Sequence, residues 1–139
     1  ALDDVDIYYG TRDMLSSINY VSTERPESQH FSFEEIRGNR LVHDKMAITL
    51  VGSPVLTDGK IGQALKLNGN GQYADFGDHR LVCFGNLDLC PLGALYSLWL
   101  RPDRLREGVN FISTGDNGIS LSYRGQKLYA RARTSTKEW

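Results

Sequence analysis

The sequence predicts an all-β domain, a sandwich or barrel of short antiparallel strands, and three observations predict it. Glycines at 38, 52, 59, 62, 69, 71, 77, 85, 93, 108, 115, 118 and 125 divide everything after Phe31 into short segments. Within the clearest of those segments, apolar and polar residues alternate with period two, and no helical period is sustained. At 139 residues and 40% apolar content, the chain is sized for a single core.

The first 29 residues read as a linker or docking arm, and residues 30–139 as the domain proper. The arm opens with Asp3, Asp4 and Asp6 and turns polar around Ser16, Ser17, Ser22, Thr23 and Pro26, with no sustained period. Its apolar residues, among them Ile7, Tyr8, Tyr9, Met14 and Ile18, are too many for a fully solvated tail, so part of it is expected to pack. Next, Gln63–Asn68 and Gln72–Phe76 read as a hairpin around Gly69, Asn70 and Gly71. The run Ala94–Leu100 is apolar at both parities, the pattern of a central strand covered on both faces. A short turn is expected near Pro102–Glu107. From Gly118 to Arg124, Ile119, Leu121 and Tyr123 share one face and Ser120, Ser122 and Arg124 the other. After Gly125 and Gln126, Leu128, Ala130 and Ala132 oppose Tyr129, Arg131 and Arg133, which makes the pair a hairpin with a two-residue connection and one dry face.

Cys83 and Cys90 flank CFGNLDLC, a loop dense in turn formers. A disulfide there removes ~2.5 kcal/mol of unfolded-chain entropy and indicates an oxidising, extracellular compartment. The alternative is a pair of buried free thiols in a cytosolic protein. A zinc site is disfavoured, because two thiols without a nearby His or third Cys cannot close a tetrahedron. His30, His43 and His79 lie scattered, and no N-x-S/T acceptor occurs.

Charge is balanced, 16 Lys and Arg against 17 Asp and Glu, so no global field draws nucleic acid or an anionic membrane to the chain. No apolar run is long enough to cross a bilayer, and Ala1 does not open a secretory leader. Both ends read as cuts within continuing structure.

The stretch Gly59–Pro102 resembles the laminin-G-like module of extracellular animal proteins. The family's glycine-led strand, G-x-A-L-x-L-x-G, is matched by Gly62, Ala64, Leu65, Leu67 and Gly69. Its next strand is matched by Tyr73, Phe76 and Gly77, and its S-x-W-x-x-P strand by Ser97, Trp99 and Pro102. A weaker likeness reaches back to Phe31, Phe33 and Glu34. The resemblance implies a concanavalin A-like jelly roll of two packed antiparallel sheets, in which Trp99, Tyr73 and Phe76 are core aromatics. About eight strands can be counted, fewer than that fold needs, so the sandwich is expected to be incomplete at its C-terminus.

Hydrolases of related fold carry two carboxylates on one strand face, about 5–5.5 Å apart in retaining enzymes. Here Glu34 and Glu35 are adjacent and would point to opposite faces, which argues against an enzyme. The resemblance implies calcium at a sandwich rim, with Asp75 and Asp78 around Gly77, and Asp116 with Asn117, as candidate ligands. Asp and Asn before Gly are equally ordinary turn formers. A second surface candidate is the cluster Arg124, Tyr129, Arg131 and Arg133, whose guanidinium forks match sulfate and carboxylate. The expected function is a non-catalytic extracellular recognition or adhesion module that binds a protein or a glycan, sulfated glycans included. The second expectation is a structural block whose sheet is completed by the rest of its own polypeptide or by strand addition from another chain.

Overall fold

The computed structural model describes residues 2–8 and 28–139. Among them are twelve strands: β1 (Leu2–Tyr8), β2 (Ser28–Phe31), β3 (Ile36–Arg37), β4 (Arg40–Leu41), β5 (Ile48–Val51), β6 (Val55–Asp58), β7 (Gln63–Lys66), β8 (Tyr73–Asp75), β9 (Leu95–Leu100), β10 (Val109–Ser113), β11 (Ile119–Arg124) and β12 (Lys127–Ala132). A single 3-10 turn, Leu87–Leu89, is the helical element of the described residues. The fold is all-β with small antiparallel sheets and, among the described residues, no closed barrel. Of the predicted arm, residues 2–8 form a strand, and residues 9–27 lie outside the described part.

The described residues group into two compact units, one of residues 2–6, 30–78 and 97–104, the other of 7–8, 28–29, 79–96 and 105–139. In the first unit, β6 and β7 pair from Val55↔Lys66 to Asp58↔Gln63, and β1 joins β7 at Leu2↔Leu65. The sheet runs β2-β1-β7-β6, with β9 also paired to β1. A second sheet of the same unit runs β3-β4-β5-β8. Its β3–β4 hairpin turns at Gly38, whose φ of 62° suits a residue without Cβ. Phe31, Phe33, Ile48 and Leu65 are wholly buried and Leu41 and Leu50 nearly so, forming this unit's core.

Phe31 anchors that core through two ring contacts. Phe76 meets it edge-on at 5.0 Å, and the His43 imidazole stacks on it at 4.9 Å. The His43 ring is oriented by its own hydrogen bonds: Nε2 donates to the His30 carbonyl at 2.9 Å, while Nδ1 accepts from the amides of Lys45 and Met46.

Two strand expectations are corrected here. Gln63–Asn68 and Gln72–Phe76 are not partners: β7 pairs with β6 and β1, and β8 pairs with β5 at Thr49↔Asp75 through Val51↔Tyr73. The Gly69–Gly71 segment is a crossover between sheets. Its geometry is set by Gln72, whose side chain accepts from the Asn68 amide at 2.7 Å and donates to the Gly52 carbonyl at 2.7 Å, tying the segment to the β5–β6 turn. The run of β9 is also not covered on both faces. Tyr96, Leu98 and Leu100 are half-buried, whereas Leu95, Ser97 and Trp99 are exposed.

In the second unit β10, β11 and β12 form a three-stranded meander. The β11–β12 hairpin has the expected register, closing at Arg124↔Lys127 around Gly125 and Gln126. Both loop residues have positive φ, 54° and 62°, which is the type I′ geometry whose twist matches that of the strands. The dry-face expectation fails: Leu128 is 60% exposed, and the buried residue of the pair is Ser122 on the face expected to be wet. As an outer strand, β12 lacks a second layer over Leu128 and Ala130 among the described residues.

Candidate functional site

The β6–β7 hairpin builds one side of a groove in the first unit. Its loop, Gly59 to Gly62, closes with the Gly59 amide donating to the Gly62 carbonyl at 3.0 Å. Gly62 is favoured by its backbone, and a side chain there would displace a neighbour. Its φ is 61°, and a Cβ there would collide with the Glu34 carboxylate. That carboxylate accepts from the Gln63 amide at 3.3 Å, so Glu34, weighed above as a catalytic acid, instead holds the loop in place. The fixed loop sets Lys60 Nζ 5.5 Å from the centroid of the Trp99 ring, a cation–π contact.

Trp99 forms the opposite wall. The indole is 53% exposed, against the expectation of a core aromatic, because its parity on β9 is that of Leu95 and Ser97. The groove has a volume of about 220 Å3 and is lined by Asp58, Lys60, Ala64, Trp99, Leu100 and Arg101. Ala64 is fully buried beneath it, and its walls are mostly apolar. An apolar platform with a few charged groups at its edge is the arrangement that orients a small polar ligand. A signal for this site stood in the sequence. Ser97 shares a parity with Trp99, and Arg101 continues it, so that face was marked as wet.

The predicted sites lie elsewhere. Cys83 and Cys90 are bonded, as expected from their spacing. The loop between them is braced by side-chain hydrogen bonds. Asn86 Oδ1 accepts from the Asp88 amide, and the Asp88 carboxylate accepts from the Ser135 amide, the Ser135 hydroxyl and Asn117 Nδ2, at 2.9–3.1 Å. Asn117, one of the calcium candidates, thus uses its side-chain amide as a donor, and its carbonyl accepts from the Leu87 amide at 2.6 Å. Asp75 accepts from the Gly77 amide at 2.9 Å, closing an ordinary Asx turn beside Asp78. Asp116 is exposed in the turn before Asn117. Among the described residues no three His, Cys, Asp or Glu side chains are grouped as a metal site would require.

Arg124, Tyr129, Arg131 and Arg133 are brought together. The register places Ser122 opposite Tyr129 and Ser120 opposite Arg131, so all four side chains belong to one face. The patch is partly neutralised by Glu138, whose Oε2 lies 3.9 Å from Arg131 Nη1 and 3.7 Å from Arg133 Nε. Exposed pairs of this kind contribute ~0.2–1 kcal/mol each.

Near the disulfide, the Tyr96 hydroxyl donates to the Phe84 carbonyl at 3.0 Å. Burial pushes the phenol up to about 12, opposed by its contact with Thr114. The described residues are thus all-β, with a disulfide-braced loop and a groove walled by an exposed indole. Compared with known protein families, curated proteins and solved structures, it matches none.

Proposed function

We propose that this chain is a non-catalytic extracellular recognition module and that it binds a glycan in the groove beside Trp99. The half-exposed Trp99 indole carries the reading. A large aromatic face left in water has a cost that a ligand can relieve. A pyranose ring suits it, because the ring's C–H face packs on the indole while its hydroxyls reach the charged groups at the rim. Asp58 can accept from vicinal hydroxyls, and Lys60 and Arg101 can donate to ring and hydroxyl oxygens. The volume of about 220 Å3 falls below the ~300–1,000 Å3 of drug-sized pockets and suits a single sugar ring.

Two further observations support the reading. Asp58 is the one carboxylate lining the groove among the described residues, whereas glycoside hydrolysis ordinarily needs two. The disulfide is consistent with an oxidising, extracellular setting. Within this reading the chain is a laminin-G-like domain whose small sheets belong to a jelly-roll sandwich, as the resemblance implies.

The test is a glycan array probed with the labelled chain, with and without calcium, followed by calorimetric titration of the parent and its Trp99 variants with the glycan that binds. Binding is expected to weaken at least tenfold in Trp99→Ala and much less in Trp99→Phe. A clean array, or affinity indifferent to Trp99→Ala, would refute the proposal.

A further inference from the structure

Three Asn-Gly pairs stand in the chain: Asn68-Gly69, Asn70-Gly71 and Asn117-Gly118. Asparagine before glycine is chemically labile, because the next main-chain nitrogen can reach the side-chain Cγ and glycine sets no Cβ in its way. Ring closure between those atoms turns the asparagine backbone and side chain together, so it is slow wherever either is fixed. The fold treats the three pairs differently. Asn117 is held on both counts: Nδ2 donates to the Asp88 carboxylate at 2.9 Å, and the carbonyl accepts from the Leu87 amide at 2.6 Å. Gly118 beside it is packed so closely on Thr114 that a Cβ there would collide with the threonine hydroxyl. Asn68 is restrained by one Asx turn, its Oδ1 accepting from the Asn70 amide at 2.8 Å, and its own amide donates to Gln72 at 2.7 Å. Closure at Asn70 uses neither atom of that Asx bond. Asn70 is exposed, and on either side of it Gly69 and Gly71, with φ of 74° and 70°, have no heavy atom within 4 Å of where a Cβ would stand. Among the described residues the Gly71 amide, which is the nucleophile, makes no hydrogen bond.

We propose that Asn70 is a site of spontaneous deamidation in the folded protein. The Gly71 nitrogen attacks Asn70 Cγ, the new N–Cγ bond forms and the Cγ–Nδ2 bond breaks. Nδ2 leaves as ammonia, carrying the proton that the Gly71 nitrogen gives up. Water then opens the resulting succinimide at either carbonyl, giving aspartate by one route and isoaspartate by the other. Water is the only co-reactant. Isoaspartate runs the main chain through the former side chain and adds a methylene to it. That methylene falls inside the short loop that Gln72 closes by accepting from the Asn68 amide, and the product also carries a new negative charge there. The segment joins β7 to β8, so the crossover between them is lengthened after synthesis.

The test needs no variant. The folded chain is incubated in mildly alkaline buffer beside the same chain in urea, and both are sampled over time by peptide mapping, with electron-transfer fragmentation to tell isoaspartate from aspartate. Each folded rate is divided by the rate of the same asparagine in urea, which removes the effect of local sequence. Asn70 is expected to keep a normalised rate at least tenfold above that of Asn117, with Asn68 between them and isoaspartate among the Asn70 products. If Asn70 stays intact in the folded chain while it reacts in urea, the proposal is overturned. A normalised rate at Asn70 no higher than at Asn117 would overturn it as well, since the fold would then not be selecting the site.

Discussion

Replacing Asp88 by alanine removes one carboxylate and, with it, three separate donors' partner: the Ser135 amide, the Ser135 hydroxyl and Asn117 Nδ2. A hydrogen bond to a charged group contributes ~1.5–3 kcal/mol where water is excluded, and Asp88 is exposed, so we take about 0.7 kcal/mol for each. The expected loss is about 2 kcal/mol, a substantial part of the ~5–15 kcal/mol by which a domain is stable. Asp88→Asn keeps one acceptor oxygen and turns the other into a donor facing donors, so about half of that loss is expected. Ser135→Ala deletes only the hydroxyl and should cost less than either. Urea unfolding in a Trp99→Phe background isolates the signal of Trp139, which lies in the same compact unit as Asp88. If the three variants lie within 0.5 kcal/mol of the parent, or if Ser135→Ala equals Asp88→Ala, the bracing role assigned to this carboxylate is wrong.

Four other perturbations probe the same unit. A Cβ at Gly85 would lie 2.5 Å from the His79 carbonyl oxygen and 2.6 Å from its carbon, both backbone atoms that cannot swing aside, so Gly85→Ala is expected to cost ~1–3 kcal/mol by urea unfolding. Gly108→Ala, where nothing lies within 4 Å but φ is 77°, should cost only the ~1–2 kcal/mol of backbone strain. The double variant Cys83→Ala, Cys90→Ala should lower stability by ~2.5 kcal/mol through loop closure, and reducing agent should affect the parent but not the variant. The Tyr96 phenol titrates higher folded than unfolded, so its contribution is fully present below pH ~10 and declines as pH rises through about 12; stability of the parent is expected to fall across that window and Tyr96→Phe to flatten the fall.

Parts of this fold were legible where local physics decided them. The β11–β12 hairpin follows from Gly125 at a position requiring positive φ, with alternation on either side, and the disulfide follows from two cysteines at the ends of a turn-rich loop. What failed was long-range. The Gly69–Gly71 segment has every local mark of a hairpin turn, but the partner of β8 is decided by Gln72 reaching back to Gly52, twenty residues earlier in the chain. Likewise Ser122 is buried and Leu128 exposed, because a strand's dry face is set by what lies against it, and alternation alone names two candidate faces without choosing.

Trp99 illustrates the same ambiguity with a functional consequence. Read by type, a tryptophan in ALYSLWL belongs inside. Read by parity, it belongs with Ser97, and the structure follows parity, leaving the indole against Lys60 at the mouth of a groove. The same side chain cannot both seal a sandwich core and offer a platform to a ligand. A second layer that covered β9 on the face of Leu95, Ser97 and Trp99 would close the groove and take the Lys60 ammonium out of water. Glu34 argues against such a layer, because its carboxylate is committed to fixing the loop that holds Lys60 over the ring. On the proposed reading, the loop that Glu34 braces holds a charged residue above an exposed indole where a ligand would meet both.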